Sequence, residues 1–226
     1  MDLEYHYQDL YETSIKKIKA DDYQIDTLIH DPTDKRFGIT LLIRPSEEVK
    51  HNIQKFLKHL KTIDPNQYYY ENSDIHITVM SIISCYNGFN LDQIDISKYI
   101  EVIKKSIIEQ PLLEIEFKGV TASPSCIMLK GFMKNNSLNA IRDNLRIHFK
   151  NSSLEQSLDK RYTIQTAHTT VVRFCNPLNN KTAFLTAVES YKNYNFGTFK
   201  VDNLELVYND WYQKEGHVKT LFNFSI

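Results

Sequence analysis

Glycine and proline are scarce in this chain of 226 residues, six of each, which removes collagen-like and linker-rich classes. Cys85, Cys126 and Cys175 lie far apart with no C-x-x-C spacing, so reduced, buried thiols are expected. Neither charge sign is in excess: 27 basic residues face 28 acidic ones. That balance argues against avid binding to a long nucleic acid, which needs a basic face. It leaves room for a short nucleotide or one RNA end in a local basic cleft. No run of ~18 apolar residues is present, so no membrane span is expected. The opening "MDLEYHYQDLYETSIKK" carries acidic residues where a secretion signal has a basic region. A soluble, cytoplasmic protein is the expectation. Phosphate-loop, dinucleotide, nucleophile-elbow and H-E-x-x-H signatures are all missing.

What the chain does have is 14 Tyr and 12 Phe, against one Trp. Aromatics supply buried area and, for Tyr, a polar handle, but they name no ligand. Leu3, Tyr7, Leu10, Tyr11, Ile15 and Ile18 predict a helix from Leu3 to Ala20, an addition within residues 1–30. "FGITLLIRP" predicts a strand ended by Pro45. Ser46 and the acidic Glu47 and Glu48 then open a helix carrying Val49, Ile53, Phe56, Leu57 and Leu60. "DIHITVM", Asp74 to Met80, reads as a strand, and "SCYNGFNLDQ" after it as a loop. A helix is predicted from Ser97 to Glu109, stopped by Pro111. "LLEIEFKGVTAS" and "CIMLKGFM" predict a hairpin. Leu138, Ile141, Leu145 and His148 predict the inward face of a helix from Ser137 to Phe149. "RYTIQTAHTTVVRF" reads as a strand, and a helix follows from Thr182 to Tyr191. "FKVDNLELVYND" and "VKTLFNFS" predict two closing strands across "WYQKEG".

Within "DIHITVM" a period of two puts His76 and Thr78 on one face and Ile75, Ile77 and Val79 on the other. Alone, this is a strand with a satisfied histidine. "AHTTVVRF" repeats the spacing, however: His168 and Thr170 stand 92 residues further on (168 − 76), in an equivalent element. The order of elements suggests two α+β lobes without a flexible linker between them.

With "HITV" at His76–Val79 paired with "HTTVVR" at His168–Arg173, the chain resembles the two-histidine phosphoesterases of the RNA ligase-like and cyclic phosphodiesterase group. The correspondence runs from Phe37 to Ile226, and "FKVDNLELVYND" from Phe199 to Asp210 looks like that family's closing strand. The resemblance implies an α+β fold of two pseudo-symmetric lobes, with antiparallel sheets lining a central cleft and helices outside. It implies a monomeric, single bilobal unit spanning residues 1–226 that needs no metal or other cofactor. It also implies phosphodiester chemistry on a small nucleotide or an RNA terminus, as hydrolysis of a 2',3'-cyclic phosphate. Action on 2'-5'-linked or cyclic oligonucleotides, and non-catalytic binding of an RNA end, are the alternatives.

The residue types suit that chemistry. Opening a cyclic phosphate needs a base for water and an acid for the departing ribose oxygen. Two imidazoles can divide those tasks near neutral pH. The Thr78 and Thr170 hydroxyls can donate to nonbridging oxygens, whereas two His and two Thr make a poor transition-metal shell. Arg173 sits where the family often has a basic residue, but its strand parity is opposite to that of His168. Arg161 and Lys130 are weaker cationic candidates, and Tyr86 and Phe89 are candidates for stacking on a base.

Overall fold

The computed structural model describes residues 2–107, 112–160 and 162–226. The predicted positions Glu109, Pro111 and Arg161 lie outside them. The chain opens with α1 (Leu3–Lys19), capped by the Asp2 carboxylate at the Tyr5 amide. β1 (Arg36–Ile43) follows, then α2 (Glu47–Ile63), where Ser46 accepts from the Val49 amide. Next come the two-residue β2 (Tyr68–Tyr69), β3 (Ile77–Asn87) and α3 (Ile96–Ser106). A hairpin of β4 (Leu113–Ser123) and β5 (Cys126–Met133) leads to α4 (Ser137–Lys150). The final elements are β6 (Thr169–Arg173), α5 (Lys181–Ser190), β7 (Asn195–Val201), β8 (Asn203–Asp210) and β9 (Lys219–Ser225).

These strands form two antiparallel sheets, one ordered β3-β1-β8-β9 and the other β2-β6-β5-β4-β7. Helices α3 and α4 pack on each other and on the first sheet, α2 packs on the second sheet with α5 against it, and α1 lies on β4. The architecture is α+β, with two lobes facing a cleft. The lobes are not two successive halves of the chain. The first sheet is completed by the C-terminal β8 and β9, and α2, which follows β1, crosses to the second lobe. This interlacing accounts for the missing linker.

Four expectations change. "DIHITVM" is ladder-paired only from Ile77 onward. "FKVDNLELVYND" is not one strand, because β7 belongs to the second sheet and β8 to the first. The buried phase shows why: Phe199 and Val201 point inward, then Asp202 and Asn203 are both exposed, and Leu204 and Leu206 resume one residue out of step. "SCYNGFNLDQ" is only partly a loop, since β3 continues to Asn87 against β1. "RYTIQTAHTTVVRF" is regular strand only over its last third; residues 162–168 run without ladder pairing. That stretch presses on β5, and a Cβ at Gly131 would stand 1.9 Å from the Ala167 carbonyl oxygen. Glycine is required there for close approach.

Candidate active site

His76 and His168 each stand one residue before the strand that follows them, β3 and β6. The edge of the first sheet and the second sheet converge there, so both imidazoles line one cavity together with Thr78 and Thr170. Each ring is anchored two residues upstream. His76 Nδ1 lies 2.7 Å from the Asp74 carbonyl oxygen. A carbonyl only accepts, so Nδ1 carries the proton and neutral His76 is left with Nε2 as its basic nitrogen. His168 Nδ1 lies 2.6 Å from Thr166 Oγ1, a hydroxyl able to serve either tautomer.

After each threonine the strand takes one extra residue. Leu41 and Leu42 of β1 face Met80 and Thr78, leaving Val79 bulged. Ile127 and Met128 of β5 face Val172 and Thr170, leaving Val171 bulged. A bulge reverses strand parity. Arg173 therefore lines the cavity with Thr170, and Ser81 lines it with Thr78. Arg173 is steadied by Asp26 at 3.7 Å and by the Tyr212 ring at 5.6 Å. Among the described residues, neither the Thr78 nor the Thr170 hydroxyl holds a protein hydrogen bond, so both are free to meet a ligand oxygen.

The stacking candidates lie elsewhere. Tyr86 is 41% exposed and bonds Glu155 through its hydroxyl, and Phe89 is buried against the Tyr86 and Tyr208 rings. β3 runs on to Asn87 and carries both past the cleft. The aromatic residues at the cavity are Tyr70, Tyr162 and Trp211. Lys130 faces α1, where it pairs with Glu4 at 3.5 Å. Lys160 and Asp159 do line the cavity. The sequence offered no signal for them, because the 157–164 segment has no periodicity that would aim its side chains.

A further residue missed from the sequence is Arg142 of α4, fully buried behind the cleft. Its signal was legible: position 142 falls on the stripe of Leu138, Leu145 and Phe149, where a charge is out of place.

The site is electrostatically hostile to imidazolium. Burial lowers the His76 pKa to about 4, helped by the cations Arg44 and Arg173 and by repulsion from His168 whenever both rings would be protonated, and opposed by the Asp74 carbonyl. Burial likewise lowers His168 to about 4, helped by Arg142 and His6. Both rings are thus neutral at physiological pH in the free site, and the surrounding cations favour an anion. Among the described residues, no group of three or more His, Cys, Asp or Glu side chains gathers as a metal site, and no helix is long and apolar enough to cross a membrane.

No protein-family model and no curated protein matches the chain. Solved structures do. TT0787 of Thermus thermophilus superposes with a TM-score of 0.58 at 13% identity, over 83% of this chain and 96% of that one. A phosphoesterase gives 0.56 at 14%, over 84% and 98%. E. coli LigT complexed with 3'-AMP gives 0.56 at 12%, again over 84% and 98%. The chain has the fold of these proteins.

Proposed function

We propose that the protein is a two-histidine phosphoesterase that hydrolyses a 2',3'-cyclic phosphate on a nucleotide or RNA end. The observation that carries this reading is the meeting of two His-x-Thr segments, distant in sequence, on one cavity that also receives Arg173. The shared fold with a phosphoesterase and with LigT supports it. LigT has been solved with 3'-AMP, phosphate, ATP and NADP+, which supports a small nucleotide as the ligand here.

In this mechanism water attacks phosphorus while His76 takes its proton at Nε2. The bond from phosphorus to one ribose oxygen breaks, and that oxygen receives a proton from His168, charged in the complex by the phosphate anion beside it. The Thr78 and Thr170 hydroxyls and the Arg173 guanidinium hold the nonbridging oxygens as charge builds on them. His76 then releases its proton to solvent and His168 regains one, so one water is consumed per turnover. Residues 1–226 act as one bilobal unit and as a monomer in the cytoplasm, with residues 1–30 a helical addition that supplies Asp26 to Arg173.

The test is a panel of 2',3'-cyclic mononucleotides, cyclic-phosphate RNA ends and 2'-5' dinucleotides, with products identified by phosphorus NMR in the presence of EDTA. Turnover confined to 2'-5' dinucleotides would move the assignment to the alternative bond. Binding without turnover of any of them would leave a nucleotide-binding module.

A further inference from the structure

Arg142 holds a place that the acid–base scheme does not use. Its guanidinium sits in the seam between the two lobes, with no exposed surface. Nε donates to the Val79 carbonyl at 3.0 Å. Nη2 alone donates to two carbonyls, Thr78 at 3.0 Å and Thr166 at 2.8 Å. Nη1 reaches Asn139 Oδ1 at 3.3 Å. All four acceptors are neutral oxygens.

The carbonyls are available for specific reasons. β3 is the edge strand of its sheet, so its outer groups have no ladder partner. In a regular strand the Thr78 and Val79 carbonyls would point to opposite sides, and the bulge at Val79 lets one side chain reach both. Thr166 belongs to the irregular segment before β6 and offers its side chain to His168. One nitrogen therefore ties the segment bearing His76 and Thr78 to the segment that orients His168. Asp159 attracts the Arg142 charge and Arg146 opposes it, both without direct contact. A buried cation that no carboxylate touches is costly, and a charge kept under that penalty points to a role at the neighbouring anion site.

We propose that Arg142 is a positioning residue of the phosphodiester site: it locks the two histidine-bearing segments in register and sets behind His168 a positive charge hydrogen-bonded only to neutral oxygens. This rests on the phosphoesterase reading given above. The fork fixes the distance between the two imidazoles. The charge makes the His168 imidazolium a readier proton donor and helps hold an anion in the cavity. The other groups acting on His168 are His6 of α1, Thr166 beside it and His76 across the cavity, while Tyr7 of α1, Arg146 of α4 and Asp159 act on Arg142 itself.

Two variants separate geometry from charge in the full chain. Arg142→Lys keeps the charge but loses the planar fork, so kcat should fall on the order of 10- to 100-fold while the pH limb assigned to His168 stays in place. Asn139→Asp keeps the fork and puts a carboxylate beside Nη1, in the first turn of α4 where an acid is well tolerated. It should raise the His168 midpoint, read by imidazole NMR titration, by about half a pH unit or more. Full turnover in Arg142→Lys overturns the geometric role, and an unmoved His168 in Asn139→Asp overturns the electrostatic one. If Arg142→Lys does not fold, the Asn139→Asp titration decides. That titration needs no substrate, so a wild-type protein without turnover would sink the phosphoesterase reading and still leave Arg142 tested.

Discussion

Arg173 lies three residues beyond Thr170, yet both line the same cavity, because Val171 is an extra residue in β6 opposite the Ile127–Met128 step of β5. Ser81 stands in the same relation to Thr78 across the bulge at Val79. The two lobes thus repeat a threonine, two buried residues and a third side chain returned to the cleft. One lobe delivers a guanidinium there and the other a small hydroxyl. That difference gives the cavity a cationic side, and Arg173→Gln should lower kcat/KM by about 10- to 100-fold, through the loss of a charge-assisted contact to phosphate. Steady-state kinetics on a cyclic mononucleotide checks it, and an unchanged kcat/KM would remove Arg173 from the site.

Replacing His76 or His168 with Ala should reduce turnover by about 10²–10⁴-fold each, the range expected for a lost general acid or base. The fold should survive, since both side chains sit at the cavity surface and not in the core. Circular dichroism alongside product NMR checks both halves of the statement. Wild-type rates in two folded variants would refute the acid–base assignment.

Stability should rise with pH across the acid range. The folded histidine values of about 4 lie below the ~6.5 of an unfolded histidine, so between them the unfolded chain binds more protons. This contribution is complete above about pH 6.5 and is lost as pH falls toward 4. Urea unfolding at several pH values should show the slope, and His168→Asn should flatten it. A slope identical in the variant would contradict the depressed value.

Anion binding should reverse that depression. A phosphate in the cavity favours a charged imidazole, so binding of 3'-AMP near pH 7 should take up protons and tighten as pH falls toward 6. Titration calorimetry in buffers of different ionisation enthalpy measures the uptake directly. Equal heats in all buffers, after dilution correction, would mean that neither histidine charges on binding.

The single tryptophan of the chain, Trp211, lines the cavity with Arg36 over its ring at 4.7 Å. Nucleotide binding should therefore change the intrinsic fluorescence. Trp211→Leu should weaken a nucleotide more than it weakens inorganic phosphate, because base stacking on an aromatic is worth ~1–3 kcal/mol. Tyr86→Ala, outside the cavity, should leave both affinities within about twofold. The opposite ranking would return the stacking role to the β3 end.

Residue order alone was enough for the elements whose apolar pattern is regular. The helices at Leu3–Lys19, Glu47–Ile63 and Ser137–Lys150 follow from their stripes, and a period of two places His76 beside Thr78 and His168 beside Thr170. These are local properties, fixed by backbone geometry within a few residues. Packing was needed to bring the two pairs onto one cavity, to bulge Val79 and Val171, and to let Arg142 join the segments through Thr78 and Thr166. A bulge depends on which strand lies opposite, and a carbonyl left free at a sheet edge depends on which neighbour is absent. Neither condition is written in the residues that carry it. The site arises where two sheets of interlaced chain meet, and pairing across that distance is set by the tertiary fold.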